Sequence, residues 1–213
     1  SLNVGLRLPL SIQVNSSLVS SITNTDWNYP ITSYSILTIV ESAPSEGSFR
    51  PAPYGSGSRA SIWNESQLDY SKLKSYSRTG LSVPNINSYA TDFNKPWLEL
   101  DPNWTGGYIR APYMASKGYG QYIAQKTADA GLMLNLNYTN SEKRSLLIGM
   151  TQVGIDNYGF IQKGGIWYND GGHNLGRLNP VMVAAVVLGD SNIKSVLRGS
   201  ALKFQEFQNT FFV

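Results

Sequence analysis

The sequence predicts an α+β fold: a β-rich and loop-rich N-terminal half over residues 1–95, followed by antiparallel α-helical hairpins over residues 96–213. Three observations carry this prediction. Apolar and polar residues alternate with period two before residue 40, apolar residues recur at helical spacing after residue 119, and a Pro/Gly-rich stretch separates the two patterns. At 213 residues and 41% hydrophobic content, the chain is long enough to close a sizeable core.

Over residues 2–40 the alternating runs are Leu6-Arg7-Leu8, Leu10-Ser11-Ile12-Gln13-Val14 and Ser35-Ile36-Leu37-Thr38-Ile39-Val40, with a turn at Tyr29-Pro30. Residues 31–40 also admit a helix; β-branched alternation favours a strand. Residues 41–95 read as loop, because Pro44, Gly47, Pro51, Pro53, Gly55 and Gly57 each remove helical options. Phe49 and Trp63 are the anchors that would keep such a loop ordered.

In the second half, residues 119–136 place Tyr119, Ile123, Thr127, Ala130 and Leu134 near helical spacing. Thr139-Asn140-Ser141-Glu142 matches a capping box, in which hydroxyl and carboxylate satisfy each other's backbone donors. The helix it opens carries Leu147, Met150, Gly154, Tyr158 and Ile161 on one stripe, and Lys163-Gly164-Gly165 ends it. Asn179-Pro180 supplies an N-cap and first-turn proline for a helix over residues 181–188. Gly189-Asp190 breaks that helix, and residues 191–198 form another. Connections this short join helices as antiparallel hairpins. The final Thr210-Phe211-Phe212-Val213 reads as an apolar strand, which leads us to expect a piece of a longer polypeptide or a terminus that pairs with a neighbour.

Composition narrows the function. Only 15% of residues are charged and the net charge is +3, with no basic block interleaved with aromatics, so nucleic acid is not an expected partner. The chain has no cysteine and a single histidine, which removes disulfides, thiolate chemistry and ordinary zinc sites; no metal or cofactor is expected. The longest apolar run, residues 181–188, is far short of a membrane span. No signal sequence is present and the first residue is Ser1, so any such peptide was removed or lay upstream.

The densest chemistry falls in residues 164–179, where Trp167, Asn169, Asp170, His173 and Arg177 surround Gly171-Gly172 and Gly176. Glycines flanking His173 let the backbone turn and present the ring. Imidazole works as acid or base near neutrality, and a guanidinium grips a carboxylate with two parallel bonds. A lyase removing a proton beside a uronic carboxylate needs both roles. Hydrolysis needs two carboxylates across the bond, for which Asp156 and Asp170 are the candidate pair and Asp129 a distant third. Trp104, Tyr108, Tyr113 and Tyr119 sit in a glycine-containing segment suited to stacking on sugar rings. Gln152 and Asp156, four apart, share a helix face expected to point at the site loop; Gly154 and Gly159 would let another element come close. A purely structural alternative has His173 bonded to a main-chain carbonyl and Arg177 pinning the loop.

Ser48-Phe49-Arg50-Pro51, residues 97–108 (WLELDPNWTGGY), Gln152-Val153-Gly154-Ile155-Asp156 and above all Gly171-Gly172-His173-Asn174-Leu175-Gly176-Arg177 resemble a family of large, mostly uncharacterised secreted bacterial proteins. There a β-rich part precedes an α/α toroid of the kind shared by polysaccharide lyases and some glycoside hydrolases. The resemblance runs from about residue 10 onward. It departs at Leu178, where the family has a basic residue, and in extent, since its members continue further and this chain has helices for only part of a toroid. It implies an extracellular, carbohydrate-active protein that binds or cleaves a polysaccharide, with His173, Arg177, Asp170 and Asp156 as catalytic candidates. Trp104, Tyr108, Tyr119, Gln152, Trp167 and Asn169 would then contact substrate. A glycan-binding or adhesive domain without turnover remains open. So does a structural subunit of a phage virion or surface layer, oligomeric or joined to other subunits, which low charge, absent cysteine and Asn/Ser/Tyr/Gly enrichment also suit.

Overall fold

The computed structural model describes residues 8–23, 31–54, 62–99, 109–110, 120–169, 171–199 and 203–208. In chain order these form β1 (Ser16–Thr23), β2 (Ile31–Ile39), α1 (Ile86–Phe93), β3 (Leu98–Glu99), β4 (Ile109–Arg110), α2 (Gly120–Leu134), α3 (Asn140–Gln162), α4 (Leu178–Val187), α5 (Ser191–Gly199) and α6 (Gln205–Gln208). The expectation of a strand-rich first half is corrected. Among the described residues the fold is mixed and mainly helical, with six helices and two sheets of two strands each. One of those sheets lies in the second half, and one helix lies in the stretch read as loop.

β1 and β2 form an antiparallel hairpin in which Leu18 faces Leu37 and Val19 faces Ile36. Period-two alternation puts Val19 and Ile36 on one side, against Leu98 and Tyr54, while Leu37 stays exposed. The strand reading of residues 31–40 thus stands, but residues 10–13, which alternate equally well, lie outside any strand. The turn expected at Tyr29-Pro30, the Leu6-Arg7 pair and residues 209–213 lie outside the described residues. The apolar strand expected at Thr210-Phe211-Phe212-Val213 falls among those residues; just before it, Gln205–Gln208 form the short helix α6.

Pro and Gly rule out long helices in residues 41–95, but short ones survive between them. Asn85 accepts from the backbone amides of Asn87 (2.9 Å) and Ser88 (3.3 Å) and so starts α1, which buries Ile86, Ala90 and Phe93. Two single turns of 3₁₀ helix, Glu65–Gln67 and Tyr70–Lys72, are capped the same way by Asn64 and Asp69.

The hub is α3. Thr139 and Glu142 make the expected reciprocal cap, with the Thr139 amide donating to Glu142 Oε2 at 2.7 Å and the Glu142 amide to Thr139 Oγ1 at 3.2 Å. Gly164, at φ +85°, ends the helix in the left-handed conformation that glycine takes without strain. Fourteen of its 23 residues are buried, so the single apolar stripe expected there understates its role: α3 is covered on several sides. Glycines let those neighbours in. A Cβ at Gly149 would lie 2.8 Å from Phe93, one at Gly154 2.2 Å from the Pro180 carbonyl, and one at Gly159 2.2 Å from Ala52. One core cluster joins α3 to α1, α2, Phe49 and Trp97; a second joins its C-terminal end to α4, α5, Trp167 and Phe204. α5 is started by Asp190, whose Oδ1 accepts the Asn192 (2.8 Å) and Ile193 (3.0 Å) amides while Oδ2 accepts from Trp63 Nε1.

Candidate functional site

The glycine loop proves to be braced from within. Arg177 is fully buried, and its Nη1 donates to the carbonyls of His173 (3.0 Å) and Leu175 (2.9 Å). Its own carbonyl accepts from Asn157 Nδ2 of α3. That guanidinium closes the loop on itself and is shut off from any substrate carboxylate, as in the structural alternative. The glycines serve close approach more than display of a ring. A Cβ at Gly176, φ +93°, would meet the Ala124 amide at 2.5 Å, and one at Gly120 would meet the Gly172 carbonyl at 2.0 Å, so the loop rests directly on α2. The His173 side chain is half-buried.

α6 supplies the rest of the brace. Gln205 Oε1 accepts the Asn174 amide at 2.7 Å, and Glu206 Oε1 accepts the amides of Gly176 (2.7 Å) and Leu178 (3.2 Å). This revises the expected start of α4. The helix begins at Leu178 with no side-chain cap from Arg177; a carboxylate from another helix meets its first donor. Asn179 turns instead to the Thr127 carbonyl of α2 at 2.7 Å.

Trp167 is fully buried, stacked on Phe204 at 5.2 Å and tilted against Phe160 at 4.8 Å, so it is a core residue and not a sugar platform. Asn169 is exposed; its amide donates to Gln208 Oε1. Asp170, Trp104, Tyr108, Tyr113 and Tyr119 lie outside the described residues. Asp129 accepts from the Tyr89 hydroxyl at 2.8 Å between α1 and α2. Burial and then that carboxylate push the Tyr89 phenol up to about 12, which holds it as a donor.

Gln152 and Asp156 do share a face, but it points away from the glycine loop, into a cleft of about 250 Å³. Three separate stretches meet there: residues 47–50, residues 93–96 and α3. The Phe49 amide donates to the Trp63 carbonyl (2.9 Å) and the Glu65 amide to the Gly47 carbonyl (2.8 Å), an antiparallel tie that brings Glu65 to the rim. Gln152 then holds Arg50 by both backbone groups: the Arg50 amide donates to Oε1 and Nε2 donates to the Arg50 carbonyl, each at 2.9 Å. So held, the Arg50 guanidinium donates to the Pro51 carbonyl at 3.0 Å and pairs with Asp156 Oδ2. Gln152 Nε2 also reaches Asp156 Oδ1 at 3.3 Å.

The electrostatics follow from burial. Asp156 is sealed (1% exposed) while Arg50 keeps 21% of its side chain accessible. Desolvation pushes the Asp156 carboxyl up to about 6, against the opposing pull of Arg50 and Gln152. Asn94 and exposed Lys95 complete a polar rim over apolar walls from Phe49, Phe93 and Ile148. Glu65 is gripped by Arg144 at both oxygens, Nη2 to Oε2 at 2.6 Å. A second, more open groove of about 470 Å³ between α2 and α4 is lined by apolar residues such as Leu132, Met182 and Val186, with few convergent polar groups.

Sequence reasoning missed Glu65, Asn94, Lys95, Gln205 and Glu206. The i, i+4 spacing of Gln152 and Asp156 was the one signal of the cleft. Among the described residues no helix is long and apolar enough to cross a membrane. Set against protein-family models, curated proteins and solved structures, the chain matches none of the three.

Proposed function

We propose that this chain is a carbohydrate-active module that binds a glycan in the cleft between residues 47–50, residues 93–96 and α3. The observation that carries this reading is the convergence of Arg50, Asn94, Lys95, Gln152 and Asp156 over apolar walls in one cleft of about 250 Å³. A sugar ring offers hydroxyl edges to amides and cations and an apolar face to rings and aliphatic side chains, and this lining supplies both. The role first expected of Arg177 passes to Arg50: it too is held by backbone contacts, but it keeps part of its surface in an open cleft.

Titrating the protein with a panel of neutral and anionic oligosaccharides, by calorimetry and ligand-observed NMR, tests the reading. Reducing and unsaturated ends are assayed after long incubation. Binding is expected, with a drop of roughly tenfold or more for Lys95→Ala and no change for His173→Ala. Silence across the whole panel, or a loss confined to His173→Ala, would sink the proposal.

A further inference from the structure

Over residues 33–39, β2 runs in regular register beside β1, the one irregularity lying at the Ile22/Thr23 end of the hairpin. Among the described residues β1 is its only strand partner, so alternate N–H and C=O groups of this stretch line an edge that meets no further strand there. Such an edge is a template for another strand, and proteins ordinarily blunt it with lysine, proline or a bulge. β1 reads SSLVSSIT and β2 reads ITSYSILTI; neither carries a charge or a proline. Leu37, within the regular stretch, is 56% exposed.

We propose that this edge pairs with the same edge of a second copy of the chain, β2 antiparallel to β2, joining two hairpins into one four-stranded sheet. The open backbone groups call for an extended strand as occupant. The charge pattern makes that strand β2 itself. Pairing a strand with its own copy sets like residues near one another, which like charges would forbid, and β2 has none to oppose.

The pleat limits the register, because side chains keep to their own face only when paired positions have the same parity. A twofold axis at Leu37 meets this condition. It places Leu37 opposite its copy, Ile36 opposite Thr38 and Ser35 opposite Ile39. Leu18 already faces Leu37 within the hairpin, so a row of four leucines, Leu18 and Leu37 from each copy, crosses the joined sheet and covers the exposed side chain. The contact is isologous, and each copy uses its single β2 edge, so pairing through β2 stops at two chains. Residues 33–39 do not line the cleft that holds Arg50, which leaves pairing and ligand binding separable.

The test is sedimentation velocity with light scattering, from low micromolar to several hundred micromolar protein. The wild-type chain is expected to dimerise. Leu37→Lys and Leu37→Glu each set like charges directly opposite one another and should weaken the dimer by roughly tenfold or more, whereas mixing the two should restore a heterodimer. The chain has no cysteine, so Leu37→Cys reports the register: Cα atoms about 4.5–5.5 Å apart across the pair suit a disulfide, and oxidation should link two chains. A wild-type chain that stays monomeric throughout overturns the proposal and leaves the edge to a strand from another protein. A dimer indifferent to Leu37→Lys overturns it too, above all one abolished instead by Leu132→Lys in the groove between α2 and α4. So does loss in both charge variants without recovery on mixing, or a Leu37→Cys chain that dimerises without linking.

Discussion

Two arginines are tied to neighbouring residues of α3, Arg50 to Asp156 and Arg177 to Asn157, and their partners give them different work. Arg177 is wholly buried and bonds the carbonyls of His173 and Leu175 in its own loop. Arg50 is partly open and bonds a buried carboxylate, Asp156, at the floor of a cleft. Main-chain carbonyls do not titrate, so Arg177 is a permanent brace. A carboxylate does, so the net charge of the Arg50–Asp156 pair depends on proton concentration. Density of polar residues in sequence thus marks a place that needs many hydrogen bonds, which is as true of a braced turn as of a binding site.

The contrast can be broken most severely at Arg177. Arg177→Met should leave the half-buried His173 and Leu175 carbonyls without their donor and empty the buried guanidinium site, lowering stability by ~3–5 kcal/mol, read as a fall in the urea midpoint. A variant of wild-type stability that no longer binds ligand would return the site to the glycine loop.

Next comes the pH response of the Arg50 side. The folded value of Asp156, about 6, lies above its ordinary 3.8, so the folded state holds the proton more tightly than the unfolded chain. The stability contributed by this group is therefore complete below about pH 4 and is lost as pH rises through about 6, a change of ~3 kcal/mol. Asp156→Asn should flatten this part of the profile in urea melts between pH 4 and 7.5. An unaltered slope in the variant would assign the titration to another group. No comparable slope is expected from the Arg177 contacts, because carbonyls are their acceptors.

The smallest effect sharpens the account of the brace. Glu206→Ala removes the acceptor for the Gly176 and Leu178 amides at the start of α4 and should cost ~1–2 kcal/mol. Hydrogen exchange of those two amides should quicken relative to the middle of α4. If they stay protected, another group caps this helix.

How much was legible differs between the regions. The Thr139 and Glu142 cap, the stop at Gly164 and the strand in residues 31–39 were readable because each depends on neighbours within a few residues. α1 was hidden by the prolines around it, although Asn85 with Ile86, Ala90 and Phe93 at helical spacing was its trace. The Gln152 and Asp156 pair was noticed, but its direction was assigned to the wrong neighbour. Nothing local says whether a helix face meets residues 47–50 or residues 171–177.

By itself the sequence determined both ends of α3, the glycines that admit close neighbours along it, and the absence of thiol chemistry and of a long apolar span. Only the tertiary structure decided which arginine is sealed and which faces a cleft. Arg50 and Asp156 are 106 residues apart, and Glu206 caps a helix that begins 28 residues earlier. Short-range preferences set backbone conformation residue by residue. Burial, and with it the charge state of a carboxyl or the reach of a guanidinium, is set by whatever distant segment the packed core brings alongside.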